Sequence, residues 1–521
     1  MTHDDGLPPR GATILLALTA ALLLLRLGQV PLLGPDEPRY ARVAVEMHRA
    51  HEWVRPTLQG EPWLEKPPLY YWLAGAAFSL LGENETAARL PSVAAAVWMV
   101  GVTALVGARL FGGAVGLHAG FVLGLSVLPF AYGRGASMDM LLAATTTTAI
   151  GLLGLRLLGI AGSFAIPAAA VFIGLATLAK GPVGLLLPAL VVGSHVLLTR
   201  QWRLVRACLS PVALLLFVVV AMPWHLAIWL DQGQRFVDVY LLNHNLQRFT
   251  STIHNHPGAP WYYVPVILVG LFPWTGFVLP ALATARQDRS RAETWMLSWL
   301  ALPFLFFSLA GSKLPGYVLP CLPPLAILMG RACHALILRD AARSWPRVVA
   351  TIGLALGALL FAAPLRQIAM GEPDFVLAVP AGLWVLLVVF VFSRRVTRDP
   401  DGALRVLRIG AAGFLLLLTN VAPTLLARRE SGRDLFLPAA GREVLVWGAW
   451  RTAWMAGYFY NDGKVRPVEG LAAIAEAAAR GPRLVLCGPG ERRQLEGAPA
   501  LATRTLAEGP RANALLSVRA R

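Results

Sequence analysis

The chain has 521 residues, of which 56% are hydrophobic and only 14% are charged. In soluble domains about a quarter of residues are charged, so this composition excludes an ordinary soluble protein and indicates one that crosses a membrane many times. The net charge of +17 fits cytoplasmic loops that face anionic lipid. We therefore expect membrane lipids as partners, and no nucleic acid.

Apolar stretches recur along most of the chain. A helix needs about 20 residues to cross a hydrocarbon layer about 30 Å thick, and about thirteen stretches are long enough. They lie at residues 11–33, 86–108, 113–133, 140–159, 163–180, 182–199, 208–230, 261–284, 292–311, 317–337, 347–364, 376–393 and 407–427. The first lacks a small-residue cleavage site, so we expect a retained helix. The sequence predicts a polytopic α-helical membrane protein with about 13 transmembrane helices.

Arginine-rich connections set the expected orientation. They occur at alternate connections, at residues 199–206, 285–291, 339–347 and 393–408. Because Lys and Arg accumulate in cytoplasmic loops, this pattern predicts a cytoplasmic N-terminus. It places the segment between the first two spans, the loop before Asp139, the loop 231–260, Lys313 and the chain beyond about 428 on the outer face.

The segment "LLGPDEPRYARVAVEM" (32–47) is unusually charged for so apolar a chain. Pro35 precedes Asp36, so Asp36 and Glu37 fall in the first turn of a predicted helix, where anionic side chains are stabilised. Charged groups are costly within a bilayer, so we expect an interfacial helix on the outer face. The simplest interpretation of the two acids is stabilisation of the helix end.

The segment "WLEKPPLYYWL" (63–73) places a second pair of charges before an apolar helix. Two prolines prevent a helix at Lys66 and stiffen the backbone that carries Glu65 and Lys66. A rigidly placed ammonium at the outer edge of the membrane can hold the phosphate of a lipid carrier. The alternative is a lysine that snorkels to water beside a neighbouring glutamate.

The composition changes after the last apolar stretch. Short apolar runs alternate with one helical run and predict a small α/β domain. The runs are residues 442–448, 469–481, 482–488 and 513–520. We divide the chain into a membrane domain, 1–430, and an outer α/β domain, 431–521. The four cysteines lack ligand spacing, which argues against a disulfide or zinc cluster.

Five motifs, in their order along the chain, resemble the ArnT-type lipid A aminoarabinose transferases. More broadly they resemble GT-C membrane glycosyltransferases related to protein O-mannosyltransferases. The motifs are "DEPRYA" (36–41), "EKPPLYYWL" (65–73), "RGASMDM" (134–140), "NHNLQRF" (243–249) and "SKLPGYVLPCLPPLAIL" (312–328). The resemblance covers roughly residues 10 to 430.

The resemblance implies an inverting glycosyltransferase of the bacterial inner membrane, with its active site facing the periplasm. The donor would be a sugar on polyprenyl (undecaprenyl) phosphate, and no nucleotide cofactor would be needed. The leading expectation is transfer of 4-amino-4-deoxy-L-arabinose to lipid A. The alternative acceptors are proteins or another glycolipid.

The same resemblance implies roles for individual residues. Asp36 and Asp139 correspond to essential acids of the first and second outer loops. Lys66, Arg248 and Tyr317 correspond to contacts with the carrier phosphate. The family's usual "KLPTY" is "KLPGY" here, so we expect the glycine to loosen the backbone before the tyrosine.

A metal ion is a further expectation of the resemblance, with Glu65 beside Lys66 as a ligand. Imidazole and carboxylate groups suit zinc or another divalent ion such as magnesium, and His244, His254 and His256 lie in one outer loop. Their irregular spacing favours the alternative, which is a hydrated loop without metal.

The chemistry of carrier displacement fits these residue types. Negative charge grows on the leaving phosphate, where Lys66 and Arg248 can stabilise it and Tyr317 can donate a hydrogen bond. Asp36 could take a proton from an acceptor hydroxyl as a general base. A phosphate acceptor is already ionised, in which case Asp36 would orient the acceptor or the amino sugar.

Other interpretations of these residues stay open. Asp139 could cap the helix that follows it, and Arg248 could be an ordinary interfacial arginine. Lys180 and Lys313 lie at the ends of spans, where snorkelling is the default expectation.

A transporter or flippase is the alternative from another functional class. It would place ionisable residues near the midplane, in repeated halves. Here they cluster in outer loops, with Arg26 and Arg156 as the main exceptions, so we favour an enzyme.

Overall fold

The computed structural model describes residues 6–247, 258–339 and 344–521, and the described chain up to Glu430 is helical apart from one short hairpin. The hairpin pairs β1 (Thr57–Leu58) with β2 (Glu61–Pro62). The first helices are α1 (Pro9–Leu24), α2 (Asp36–Ala50), α3 (Leu69–Leu81), α4 (Glu85–Phe111), α5 (Gly113–Gly124), α6 (Val127–Gly133), α7 (Asp139–Leu157), α8 (Ala165–Lys180), α9 (Val183–Thr199), α10 (Arg203–Cys208), α11 (Pro211–Gln232) and α12 (Gln234–Phe236), followed by a π-helix (Val237–Gln247). The later ones are α13 (Tyr263–Gly270), α14 (Val278–Asp288), α15 (Arg291–Leu309), α16 (Leu322–Leu338), α17 (Trp345–Ala369), α18 (Val379–Arg395) and α19 (Pro400–Glu430).

The membrane prediction is confirmed. Within the described ranges, 9 helical segments are long and apolar enough to cross a membrane, or up to 11 when each of two bent pairs forms one span. The bent pairs are α5 with α6, at 63°, and α13 with the segment Trp274–Asp288, at 115°. The two remaining predicted stretches form α8 and α9, which have 16 and 17 residues. All the predicted stretches are therefore helical, although two are short for a span.

The C-terminal segment forms the predicted small sheet domain. Its strands are β3 (Val444–Trp447), β4 (Val465–Pro467), β5 (Arg483–Cys487), β6 (Leu501–Glu508) and β7 (Ala514–Ala520), in the order β4-β3-β5-β7-β6. Its helices are α20 (Arg433–Phe436), α21 (Arg451–Met455), α22 (Gly457–Tyr460), α23 (Gly470–Ala479) and α24 (Pro489–Gly497). Strand β3 runs parallel to β4 and β5, whereas β7 is antiparallel to β5 and β6.

The sheet packs one face against the membrane helices. Side chains alternate along a strand, so Val444 and Val446 join the core that continues into the helices, while Leu445 faces a separate core with Val485. Helix α19 ends at Glu430, next to the predicted boundary. Because the core continues across that point, the division into two domains at 430 and 431 stays a prediction.

Helix α2 confirms the helix predicted for the opening charged segment, with Asp36 and Glu37 in its first turn. The backbone N–H of Gly34 donates to the carbonyl of Glu430, 3.1 Å away, so this segment lies beside the end of α19. Helix α2 also packs against α3, where the rings of Tyr40 and Tyr70 contact edge to face. The outer segment is therefore held between the last membrane helix and α3.

Candidate active site

Glu37 belongs to a hydrogen-bonded network beneath α2. Its carboxylate lies 2.6 Å from the guanidinium of Arg89, a residue of α4 that is 1% exposed. The other partners of the pair are all backbone groups: Arg89 donates to the carbonyls of Leu27, Val30 and Pro31, and Glu37 accepts from the N–H groups of Leu33 and Ala136. This network joins the first outer segment, α4 and the second outer loop.

Asp36 lies differently, although it is the neighbour of Glu37. Its side chain is 47% exposed and forms an ion pair with Arg39, one turn along α2. Arg39 is held in turn by the carbonyl of Pro35, at 3.0 Å, and its guanidinium lies 5.3 Å from the centre of the Trp63 ring. Asp36 therefore presents an accessible carboxylate from a fixed helix end.

Lys66 is buried, with 7% of its surface exposed. The two prolines that follow it end the extended segment, and α3 begins directly after them at Leu69. Its ammonium donates to the carbonyl of Glu65, at 3.2 Å. The alternative of a lysine that snorkels to water is wrong, because the ammonium lies inside the protein.

Asp139 and Lys180 form an ion pair at the meeting point of α7 and α8. Asp139 is the first residue of α7 and Lys180 the last of α8, and each charge has the sign that its helix end favours. Helix α8 ends there because Gly181 has a φ of 85° and Pro182 follows. Met138 occupies the N-cap position of α7, so Asp139 lies one residue inside the helix, where its charge still favours the helix end.

The expected snorkelling of Lys180 and Lys313 is also wrong. The Lys180 ammonium lies 4.3 Å from the centre of the Tyr317 ring as well as beside Asp139. The Lys313 ammonium is buried and donates to the carbonyl of Ala310, at 2.6 Å. Both lysines turn towards protein groups because these satisfy the ammonium away from bulk water.

Tyr317 is 8% exposed and packs against Phe307, with 5.4 Å between ring centres. The expectation that the glycine before it loosens the backbone stays a prediction, and the structure gives a second reason for a glycine there. A Cβ on Gly316 would lie 2.8 Å from Cζ of Tyr132 and 3.0 Å from its hydroxyl oxygen. Glycine is required because the Tyr132 ring occupies the space of a side chain.

Arg248 lies outside the described residues, and so do His254 and His256. The carboxylate of Glu65 and the Nε2 atom of His244 lie 3.7 Å apart, so the two residues expected to bind a metal do meet. No group of three His, Cys, Asp or Glu residues that could hold a metal occurs in the described part of the chain. Two side chains fall short of the three protein ligands of a catalytic zinc. The metal stays a prediction.

A largely apolar cavity of about 450 Å³ lies beside Lys66. Its apolar lining includes Leu142, Val183, Leu186, Leu241, Phe306 and Phe307. Its charged or titratable lining comes from Glu65, Lys66, Lys180 and His244. A cavity of this kind suits a hydrocarbon chain that carries one anionic head group.

A second cavity of about 470 Å³ is also lined largely by apolar groups, but it carries four acids, and we call it the polar cavity. The acids are Asp36, Glu37, Asp139 and Glu430. Among the described residues, Lys66, Lys180 and Tyr317 line both cavities. Two ammonium groups and a phenol therefore stand where an apolar compartment meets an acidic one. Such a junction can hold a phosphate between a hydrocarbon tail and a polar group.

The geometry brings four of the residues predicted from the sequence to the lining of one cavity, and their roles stay predictions. They are Asp36, Lys66, Asp139 and Tyr317. Sequence reasoning missed Lys180, Tyr132 and Glu430 as parts of the site. For Lys180 a signal was available, since "AKGP" ends a helix with a cation at its C-terminus. For Tyr132 the departure at Gly316 was the signal, because an unexpected glycine often marks a close approach.

Known sequences resemble this chain over much of its length. A family model described as Dolichyl-phosphate-mannose-protein mannosyltransferase matches residues 65–229. The undecaprenyl phosphate-alpha-4-amino-4-deoxy-L-arabinose arabinosyl transferase of Edwardsiella ictaluri is 32% identical over 60% of this chain and 58% of its own length. The enzyme of the same name from Aeromonas salmonicida is 31% identical over 70% of this chain and 68% of its own. The first such relatives are matched over less than two thirds of their length.

Solved structures share the fold. ArnT from Cupriavidus metallidurans, crystallised with undecaprenyl phosphate, superposes with a TM-score of 0.82 at 21% identity and covers 97% of each chain. The oligosaccharyltransferase of Archaeoglobus fulgidus superposes with a TM-score of 0.52 at 11% identity, over 92% of this chain and 69% of its own. At these identities the likeness establishes the GT-C architecture.

Proposed function

This chain belongs to the ArnT-like family of GT-C membrane glycosyltransferases, and from that premise we propose that it moves a sugar from polyprenyl phosphate to an acceptor at the outer face of the membrane. The proposed carrier is undecaprenyl phosphate, which is the carrier in the names of its relatives. The proposed sugar is 4-amino-4-deoxy-L-arabinose, and the proposed acceptor is lipid A.

One observation carries this proposal: an apolar and an acidic cavity meet at Lys66, Lys180 and Tyr317. A prenyl chain fits the apolar side, its phosphate fits the two ammonium groups, and the sugar then extends into the acidic side. A phosphate held by two cations leaves more readily, because the charge that grows on it is already compensated.

The remaining groups take parts in the same step. Asp139 pairs with Lys180, which holds the ammonium beneath the phosphate and fixes its direction. Asp36 is the accessible acid of the polar cavity and would accept a proton from an acceptor hydroxyl, or orient an acceptor phosphate. The bond from the sugar to the carrier oxygen breaks as the acceptor oxygen bonds the same carbon from the opposite side.

Mass spectrometry of lipid A from cells with and without the gene tests the proposal. We expect a mass difference of one pentosamine, which is lost again in the Asp36→Asn strain. Purified protein with a synthetic donor should also release free carrier phosphate only when the acceptor is present. Unchanged lipid A together with carrier release on a protein or glycolipid acceptor would redirect the proposal to that acceptor.

The orientation has its own test. A cysteine placed near residue 60 or 450 should react with an impermeant thiol reagent added to intact spheroplasts, and one near residue 401 should not. The reverse pattern would place Asp36 and Lys66 on the cytoplasmic side and would refute an outer-face reaction. A transporter would move the lipid-linked sugar across vesicles without consuming acceptor, which the same preparations can measure.

A further inference from the structure

Tyr132 and Gly316 fit each other so closely that a side chain at position 316 would displace the Tyr132 ring. A Cβ on Gly316 would stand within 3.0 Å of the ring and the hydroxyl of Tyr132. Contacts this short do not occur between real side chains, so one of the two groups would have to move. Tyr132 therefore fills the space that a side chain at position 316 would use.

Tyr132 also forms part of the wall of the polar cavity, together with Asp139 and Tyr317. Gly316 directly precedes Tyr317, which stands at the junction of the two cavities. The Tyr132 ring thus lies beside the place proposed for the phosphate, on the acidic side of the junction. The first chemical group beyond a phosphate held there is the sugar bonded to it.

We infer that Tyr132 is a specificity-determining residue that contacts the donor sugar, and that Gly316 is required to let it reach that position. The inference rests on the proposed function and deepens it. A tyrosine offers a sugar both an apolar face and a hydroxyl that can donate or accept a hydrogen bond. Tyr132 should therefore recognise the sugar and leave recognition of the carrier phosphate to Lys66 and Lys180.

Binding of two lipids separates these roles. The probes are a short-chain polyprenyl phosphate and the same lipid bearing the amino sugar, measured on purified full-length protein by calorimetry. We expect Tyr132→Phe to bind the bare lipid as the unmodified protein does and to lose about two- to tenfold in affinity for the sugar-bearing lipid, the range of one neutral hydrogen bond. The matched control is Tyr71→Phe, because Tyr71 accepts a hydrogen bond from Trp63 and lines neither cavity.

A double-mutant cycle tests the fit itself. Gly316→Ala should weaken binding of the sugar-bearing lipid in the unmodified protein, because the new methyl group displaces the Tyr132 ring. In a Tyr132→Ala background the same change should have little effect, since the space is then empty. Additive effects of the two substitutions would overturn the inference.

The outcomes also separate this inference from the function that it presupposes. If Tyr132→Phe lost the same affinity for both lipids, the residue would have only a structural role. This result would overturn the inference but not the proposed function. Failure of the unmodified protein to bind either lipid would overturn the proposed function and this inference together. If Tyr132→Ala does not fold, Tyr132→Phe still tests the inference, because this variant keeps the ring and removes only the hydroxyl.

Discussion

Two charged regions on the outer side of the protein use similar residues for different ends. Beneath α2, Glu37 and Arg89 form hydrogen bonds with each other and with backbone groups, and their side chains are 13% and 2% exposed. At the junction of the cavities, Asp139 and Lys180 are 18% and 17% exposed and line the polar cavity. A pair whose hydrogen bonds are taken up by backbone groups fixes the fold, whereas a more exposed pair at the junction of the cavities can meet a substrate.

The comparison also separates two acids that are neighbours in the sequence. Both acids line the polar cavity, but Glu37 is held by Arg89 and backbone N–H groups, whereas the Asp36 side chain is 47% exposed. Burial of an ion pair contributes little net stability, yet removal of one partner is costly because the other charge stays buried. We therefore expect defects in stability from the first region and defects in transfer from the second.

The largest expected effect is on transfer in Asp36→Asn. Loss of a general base typically lowers the rate by about 10²- to 10⁴-fold, and the exposed side chain leaves the fold largely unchanged. The rate of carrier release by purified protein measures this. Glu37→Gln is the matched control, and it should lower the melting temperature more than Asp36→Asn does. Near-normal turnover in Asp36→Asn would refute its part in the reaction.

Arg89→Met should cost about 3–5 kcal/mol of stability, because it leaves the carboxylate of Glu37 buried without its cation. Thermal unfolding in detergent and the yield of folded protein report this loss. The double variant Glu37→Met with Arg89→Met should recover part of it, since no uncompensated charge remains. A single variant as stable as the unmodified protein would show that the network is not a structural centre.

Lys66→Ala should slow transfer by about 10²- to 10³-fold and weaken binding of a short-chain prenyl phosphate. The ammonium would contact the phosphate in the ground state and more strongly as charge grows on the leaving group. Lys66→Arg should restore only part of the activity, because a planar guanidinium replaces a compact ammonium poorly.

Lys313→Ala is the matched control for Lys66→Ala. This lysine is equally buried, but its ammonium donates to the carbonyl of Ala310 and it lines neither of the two cavities. We expect Lys313→Ala to lower the stability of the protein more than its affinity for the lipid. Equal affinities of the unmodified protein and Lys66→Ala for the lipid would remove Lys66 from the phosphate site.

The sequence predicts the fold well wherever one local pattern decides the structure. Apolar length identifies every predicted span, and short apolar runs identify β3, β5 and β7. Strand β6, "LATRTLAE", could not be predicted from the sequence, because only Leu501 in it is buried and it contains no continuous apolar run. It is a strand because it pairs with β7 at the edge of the sheet, which is a tertiary effect.

The sequence predicts only part of the site, because some of its contacts also depend on tertiary packing. Asp36, Lys66, Asp139 and Tyr317 belong to motifs and could be identified one by one. The ion pairs of Lys180 with Asp139 and of Arg89 with Glu37 could not be predicted, because these cations stand at the end of or within apolar spans and meet acids 41 and 52 residues away. A local pattern assigns such cations to the membrane surface, and only the packing of helices shows the pairing.

The smallest expected effect concerns the contact between α2 and the C-terminal domain. Asp462 lies 2.5 Å from Arg42 and 2.7 Å from Arg49, both on the helix that begins with Asp36. Its side chain is 46% exposed, and exposed pairs contribute about 0.2–1 kcal/mol each. Asp462→Ala should therefore lower the melting temperature slightly, and Asp434→Ala, which removes only a pair with its neighbour Arg433, should lower it less.

The pH dependence sharpens this last prediction. Partial burial opposes ionisation of Asp462, but hydrogen bonds and charge from Arg42 and Arg49 outweigh it and lower the pKa of the carboxyl. A carboxylate with a lowered pKa in the folded state stabilises the protein above its unfolded pKa of about 3.9. This contribution is lost as the pH falls through the lower, folded value. The difference in melting temperature between the unmodified protein and Asp462→Ala should thus stay constant from pH 7 to about pH 5 and shrink below about pH 4. A difference that disappears already between pH 7 and pH 5 would mean that another group holds the C-terminal domain on α2.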